Sequence, residues 1–371
     1  MRVHQLRKHR GEEGAVAVTV ALLATVLVGV AAFTVDLGGA YLAKRDTANA
    51  TDAASLAGAK ELATVTGTCA TVASNATATN AARSSGDTYL ADNVTSATRT
   101  VFDVTCDATG KTIQVHYGAD AKVDRALSGV FGGKGKYTVA RDATAGVGVA
   151  TDANGMRPYA ICAADVPALQ AGGVRQIDFP NALCGNQPGN WYSIDCPPTS
   201  SNSTQVLADN TRNGCDEDIS IIDTSSATTD AQRISILQAN CPKLQADPGC
   251  LTANTGNLPS NNITDAFDYL LGKDILLPVF FKGSVVGNGN NARYPVYAFV
   301  GVTVCGYHFQ NKSGVVTTGN CSGAAFTGSG NYDAMLLKLT NVITSGSTKA
   351  STCTLGNIAC DFGARSVRLI K

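Results

Sequence analysis

A serine or zinc hydrolase would show its machinery as Gly-x-Ser-x-Gly or His-Glu-x-x-His, and neither pattern occurs in this 371-residue sequence. Of the four histidines, only His116 and His308 lie beyond the first ten residues, which leaves little choice of general base. His116 sits in an alternating stretch and His308 follows an apolar run beside Tyr307 and Phe309, positions that suit structural or surface roles. Carboxylates are plentiful, yet no spacing singles out a pair for acid–base work. Gly132-Gly133-Lys134-Gly135-Lys136 lacks the spacing and the terminal Ser/Thr of a phosphate loop and is expected to be a turn before a strand. Asp216-Glu217-Asp218 lacks the spaced ligands of a calcium loop. No catalytic residue, cofactor or metal is expected, and the chain is read as a non-enzyme.

Cysteine chemistry is more informative. The twelve cysteines are Cys69, Cys106, Cys162, Cys184, Cys196, Cys215, Cys241, Cys250, Cys305, Cys321, Cys353 and Cys360. Their number is even, no C-x2-C pair occurs, and the tightest spacing is Cys353 to Cys360, so disulfides are expected rather than zinc. One sequence does not fix the pairing; near neighbours give Cys69–Cys106, Cys184–Cys196, Cys241–Cys250 and Cys353–Cys360 as expectations. Disulfides require an oxidising compartment.

The element that delivers them there is the uncharged run Gly14–Val35. At ~1.5 Å per residue its 22 residues reach ~33 Å, enough for the ~30 Å hydrocarbon core of a bilayer. Arg2, Arg7, Lys8 and Arg10 precede it and Asp36 follows, so the positive-inside rule puts the N-terminus in the cytoplasm and the rest outside. Val30 and Ala32 are small enough for a signal-peptidase site, but the run exceeds the ~7–15 residues of an h-region, so a retained single-pass anchor is expected. Charged residues are 16% and the formal net charge is zero, which argues against a nucleic-acid surface.

The expected class is α+β. Its segments are a cytoplasmic tail (1–13), a transmembrane helix (14–36), an extracytoplasmic helix (37–65), a small α+β pilin-like domain (66–150) and a mostly β, disulfide-rich domain (151–371). Tyr41–Val65 has no proline and continues the first helix into a rod of ~75 Å. Ala76–Asn93 reads as a helix broken at Ser84–Gly86. Strands are expected at Thr100–Thr105 and Lys111–Gly118 around a turn at Asp107–Gly110, a short helix at Val123–Phe131 and a strand at Lys136–Val149. In the distal part, strands are expected at Arg157–Ala163, Asp274–Lys282 and Tyr294–Phe309, a helix at Ile263–Leu271 capped near Asn262, and little other helix.

Arg10-Gly11-Glu12-Glu13-Gly14-Ala15-Val16-Ala17-Val18 before the span, then Val35-Asp36-Leu37-Gly38, Tyr41 and Asn49-Ala50-Thr51-Asp52-Ala53-Ala54-Ser55-Leu56-Ala57-Gly58-Ala59, resemble the TadE/TadG-like proteins of tight-adherence (Flp-type) pilus assembly. Ala126–Phe131 with Thr138–Val149, Ile275–Phe280 and Tyr294–Tyr307 are similar to later parts of TadG-like members. TadE-type pseudopilins carry a glutamate where this chain has Thr19, so the resemblance points to a retained TadG-type anchor rather than a processed shaft subunit. Asp223-Thr224-Ser225-Ser226 approaches the D-x-S-x-S adhesion motif of von Willebrand A-type domains, but Ala227 stands at the second serine position.

The resemblance implies a membrane-anchored, non-enzymatic component of bacterial pilus assembly or surface adhesion. Its partners would be the bilayer, other pilus-assembly or secretion proteins and the pilus or cell wall, with no nucleic acid. The interface residues expected are Tyr41, Asn49, Asp52, Leu56 and Ala59. The alternative is an anchored adhesin or glycan-binding protein working through the loops of 184–260, where Trp191 and Tyr192, if exposed, could stack on a sugar or peptide, although a core anchor is the favoured reading of that pair; an envelope hydrolase is the third possibility.

Overall fold

The computed structural model describes residues 13–125, 135–179, 183–184, 192–197, 203–241, 249–344 and 352–370. Helix α1 (Glu13–Ala63) is followed by α2 (Cys69–Ala73), α3 (Ala76–Asn93) and strands β1 (Ala97–Cys106), β2 (Ile113–Asp124) and β3 (Lys136–Val149). The distal segment holds β4 (Asp152–Ala153), β5 (Ile161–Cys162), α4 (Val166–Gln170), β6 (Val174–Asp178), α5 (Thr204–Asn213), β7 (Ile219–Ser220), α6 (Asp230–Ala239), β8 (Cys250–Thr252) and α7 (Asn261–Leu270). It closes with β9 (Asp274–Phe280), β10 (Arg293–Pro295), β11 (Ala298–Phe309), β12 (Lys312–Val315), β13 (Asp333–Leu339), β14 (Val342–Thr344) and β15 (Ala364–Leu369). The fold is α+β: a long apolar N-terminal helix, then a β-rich, disulfide-bonded part.

Two compact units share the chain. One comprises Met1–Ala54, Gly86–Phe102 and His116–Ala143; the other comprises Ser55–Ser85, Asp103–Val115 and Thr144–Lys371. In the first, Ala50 and Ala54 of α1, Leu90 of α3, and Tyr117 and Ala119 of β2 form a small core, with Phe102 packed against it. Helix α3 runs through Ser84–Gly86 without the expected break. Gly86 is there for close approach: a Cβ at this position would stand 2.8 Å from the Tyr117 ring and 3.1 Å from the Ala54 carbonyl oxygen. The glycine lets helices and strand meet, so packing overrides its poor helix propensity.

The second unit carries the main core, built on a sheet ordered β5-β9-β11-β13-β6 with β12 also paired to β11. Strand β11 is buried at eleven of twelve positions, and its uncharged sequence is what a central strand requires. The expected single strand Tyr294–Phe309 is instead two. Pro295 has no N–H to donate, and there the chain changes partner: β10 pairs with β8 and β11 with β9. Another sheet has the order β1-β2-β3-β15-β14. Within the second unit Arg365–Leu369 of β15 pairs antiparallel with Ala145–Val149 of β3.

Other expectations are corrected. Of Arg157–Ala163 only Ile161–Cys162 is strand; Ala163 opens a 3-10 turn leading into Pro167 of α4. Val123 and Asp124 of the expected short helix belong to β2, while Ala126–Phe131 lies outside the described residues, as do Gly132–Lys134. Helix α7 is capped by Ser260 rather than Asn262. Helices α5 and α6 were not expected. The first starts at Ser203 and stops at Gly214 (φ 92°); the second carries a capping box from Thr229 to Gln232.

All twelve cysteines are paired: Cys69–Cys106, Cys162–Cys184, Cys196–Cys215, Cys241–Cys250, Cys305–Cys321 and Cys353–Cys360. The expected Cys184–Cys196 bridge is replaced by two others. Cys162 at the end of β5 and Cys215 beyond α5 are brought in by the fold, and sequence proximity carries no information about that.

Candidate membrane anchor and assembly helix

Helix α1 contains no proline, and its alanines and leucines propagate a helix without interruption over 51 residues. Its most apolar 18-residue window has a mean hydropathy of 2.6. Val16 to Phe33 leave their large side chains in the open, with Leu27 67% and Phe33 65% exposed. A continuous apolar surface of this length needs a nonaqueous neighbour. Two hydroxyls within it are satisfied by the helix itself: Thr25 donates to the Ala21 carbonyl at 2.8 Å and Thr34 to the Val30 carbonyl at 2.9 Å. Neither hydroxyl then opposes burial in hydrocarbon.

Beyond the apolar run the helix has a buried and an open face. Ala32, Asp36, Thr47, Ala50 and Ala54 are buried and fall on one stripe at 100° per residue. Tyr41, Asn49, Asp52 and Leu56 fall on the opposite stripe. Tyr41 and Asn49 are exposed, and Asp52 and Leu56 are half-buried. Ala59, expected as an interface residue, has no exposed surface and packs within the chain. In the second unit the neighbouring Gly58 explains why: a Cβ there would lie 3.1 Å from the Ala82 carbonyl oxygen and 3.3 Å from Val115. Asp36, which ends the apolar run, is a carboxylate with 5% exposure.

The described histidines, His116 and His308, are each held by a local partner. His116 Nε2 lies 3.4 Å from Asp142 Oδ2 at an exposed position. His308 stacks on Tyr332 with ring centroids 4.0 Å apart and bonds the Tyr332 carbonyl through Nδ1 at 2.9 Å. Among the described residues no group of three or more His, Cys, Asp or Glu is placed to hold a metal ion. Tyr192 is not exposed. It adopts φ 52° and packs against Phe280 and Phe179, with centroids 5.1 and 5.8 Å away. Its burial is that of a core anchor; Trp191 lies outside the described residues.

The architecture is that of a protein with one N-terminal helix long and apolar enough to cross a membrane, joined to a β-rich, disulfide-bonded body. Residues 14–61 match the family described as putative Flp pilus-assembly TadE/G-like. That match coincides with α1 and ends two residues before it does. No curated protein and no solved structure matches the chain.

Proposed function

We propose that this protein is a membrane-anchored, non-enzymatic component of a bacterial tight-adherence pilus-assembly system. The observation that carries the reading is the coincidence of the TadE/G-like match with a helix whose large apolar side chains from Val16 to Phe33 stand in the open. Its N-terminus is cytoplasmic and its body extracytoplasmic. The basic residues Arg2, Arg7, Lys8 and Arg10 before the span support that orientation, and so do six disulfides, all formed by residues after it. The stripe Tyr41–Asn49–Asp52–Leu56, exposed at Tyr41 and Asn49 and half-buried at Asp52 and Leu56, meets other pilus-assembly subunits, and the distal body reaches pilus, wall or surface.

The test is a deletion strain examined by electron microscopy under conditions where the parent is piliated. Loss of pili, restored by the full chain but not by a form lacking residues 1–36, is the expected result. Normal piliation in the deletion strain overturns the assembly role; if adhesion is lost at the same time, the protein is an adhesin instead.

A further inference from the structure

The second unit contains a cleft of about 320 Å³. Its walls are the loop Ile221–Ser225, Arg233 of α6, Tyr297 beside β11 and the segment closed by Cys353–Cys360. This volume lies at the small end of ligand pockets, too small for a folded peptide segment but sufficient for one ring-sized molecule.

The groups around it are fixed and partly unused. Arg233 donates to Asp230, and its guanidinium carbon stands 5.1 Å from the Phe281 ring centroid and 5.8 Å from that of Tyr297. Its Nε is buried and has no hydrogen-bond partner among the described residues. Tyr297 is held by its hydroxyl, which donates to the Ala359 carbonyl at 3.3 Å, so its half-buried ring is a rigid wall. Asn357 Oδ1 accepts the Ala359 N–H at 3.0 Å, which fixes the amide and leaves Nδ2 as a donor. Asp223 Oδ1 accepts the Ser225 N–H at 2.9 Å, and the rest of this exposed carboxylate remains an acceptor.

Charge and chemistry select the ligand. The guanidinium on the wall disfavours a metal cation, and the described residues supply no metal-binding cluster here. Asp223 and Asp230 together offset Arg233, so there is no surplus of positive charge to favour an anion. What remains is a neutral molecule with several hydroxyls, able to donate to Asp223 while accepting from Asn357, and with an apolar C–H face to set against Tyr297. The near-motif Asp223-Thr224-Ser225-Ser226 thus forms a turn that holds an acceptor at a cleft. We propose that this cleft binds one neutral sugar residue of a glycan.

The test uses the full chain in a detergent without a sugar headgroup. Glucose, galactose, N-acetylglucosamine and N-acetylgalactosamine are each titrated and followed by saturation-transfer NMR. At least one is expected to bind. Asp223→Asn and Asn357→Ala, both at exposed positions, are each expected to weaken it about tenfold, equivalent to ~1.4 kcal/mol, with the thermal unfolding temperature unchanged. Absence of binding by all four sugars overturns the proposal. So does binding that both variants leave intact, or displacement of the bound sugar by galacturonate at lower concentration than by its neutral counterpart, which would mark an anion site.

Discussion

Tyr117 and Asp87 are joined by a 2.7 Å hydrogen bond in which the phenol donates to Oδ1, and Arg99 Nε donates to the same oxygen at 2.7 Å. Strand β2 is thereby tied to helix α3 and edge strand β1 at one carboxylate. Burial and the Asp87 charge both raise the Tyr117 pKa, because each disfavours the phenolate. Tyr117→Phe should cost about 1 kcal/mol at neutral pH, since it removes one hydrogen bond and leaves Asp87 its Arg99 partner. The raised pKa contributes stability that is complete below the unfolded value near 10 and lost above it. The wild-type thermal midpoint should therefore fall more steeply than that of the variant above about pH 10. Equal slopes would count against the bond.

Gly86→Ala opposes two effects. Replacing a helical glycine by alanine gains about 1 kcal/mol in propensity. Here the added methyl would stand 2.8 Å from Tyr117 and 3.1 Å from the Ala54 carbonyl oxygen, and overpacking typically costs about 1–3 kcal/mol. Net destabilisation is expected, read as a lowered unfolding temperature. Gly39→Ala, where nothing lies within 4 Å of the new methyl, should leave stability unchanged or raise it.

Asp333 is buried, which raises its pKa to about 6 despite the N–H of Gln310 and the nearby His308. A carboxyl raised from 3.8 favours folding fully below about pH 4, and that contribution disappears as pH climbs through 6. Asp333→Asn should flatten the decline of the unfolding temperature between those values. The His308 ring acts electrostatically on Asp333, so the comparison is made against a His308→Gln background as well.

Non-reducing digestion and mass spectrometry should recover peptides linking Cys162 to Cys184 and Cys196 to Cys215. A linked Cys184–Cys196 peptide would falsify the arrangement around β5 and α5.

The two kinds of helix residue should respond differently. Replacing Asn49 and Asp52 together by leucine should leave membrane insertion and folding intact while reducing co-purification of assembly partners. Ala59→Leu should instead lower stability by about 1–3 kcal/mol, because the site is wholly buried. Unchanged partner recovery in the double variant removes the stripe Tyr41–Asn49–Asp52–Leu56 as the interface.

Several features were legible in the sequence because they depend on local chemistry. The apolar run and the absence of proline produced α1. The β-branched alternation produced β1, β2 and β3, and the uncharged stretch to Tyr307 marked the central strand. The Ser203 and Thr229 capping signals were also present, although α6, with only Leu237 buried, gives weak periodicity.

Other features are decided only by distant parts of the chain. The partners of Cys162 and Cys215, the passage of α3 through Gly86, the burial of Ala59 and Tyr192, and the gathering of Asp223, Arg233, Tyr297 and Asn357 at one cleft all require elements far apart in sequence. Residue type fixes what each group can donate, accept or bury. Which groups meet is set by the close packing of the sheets and helices that carry them.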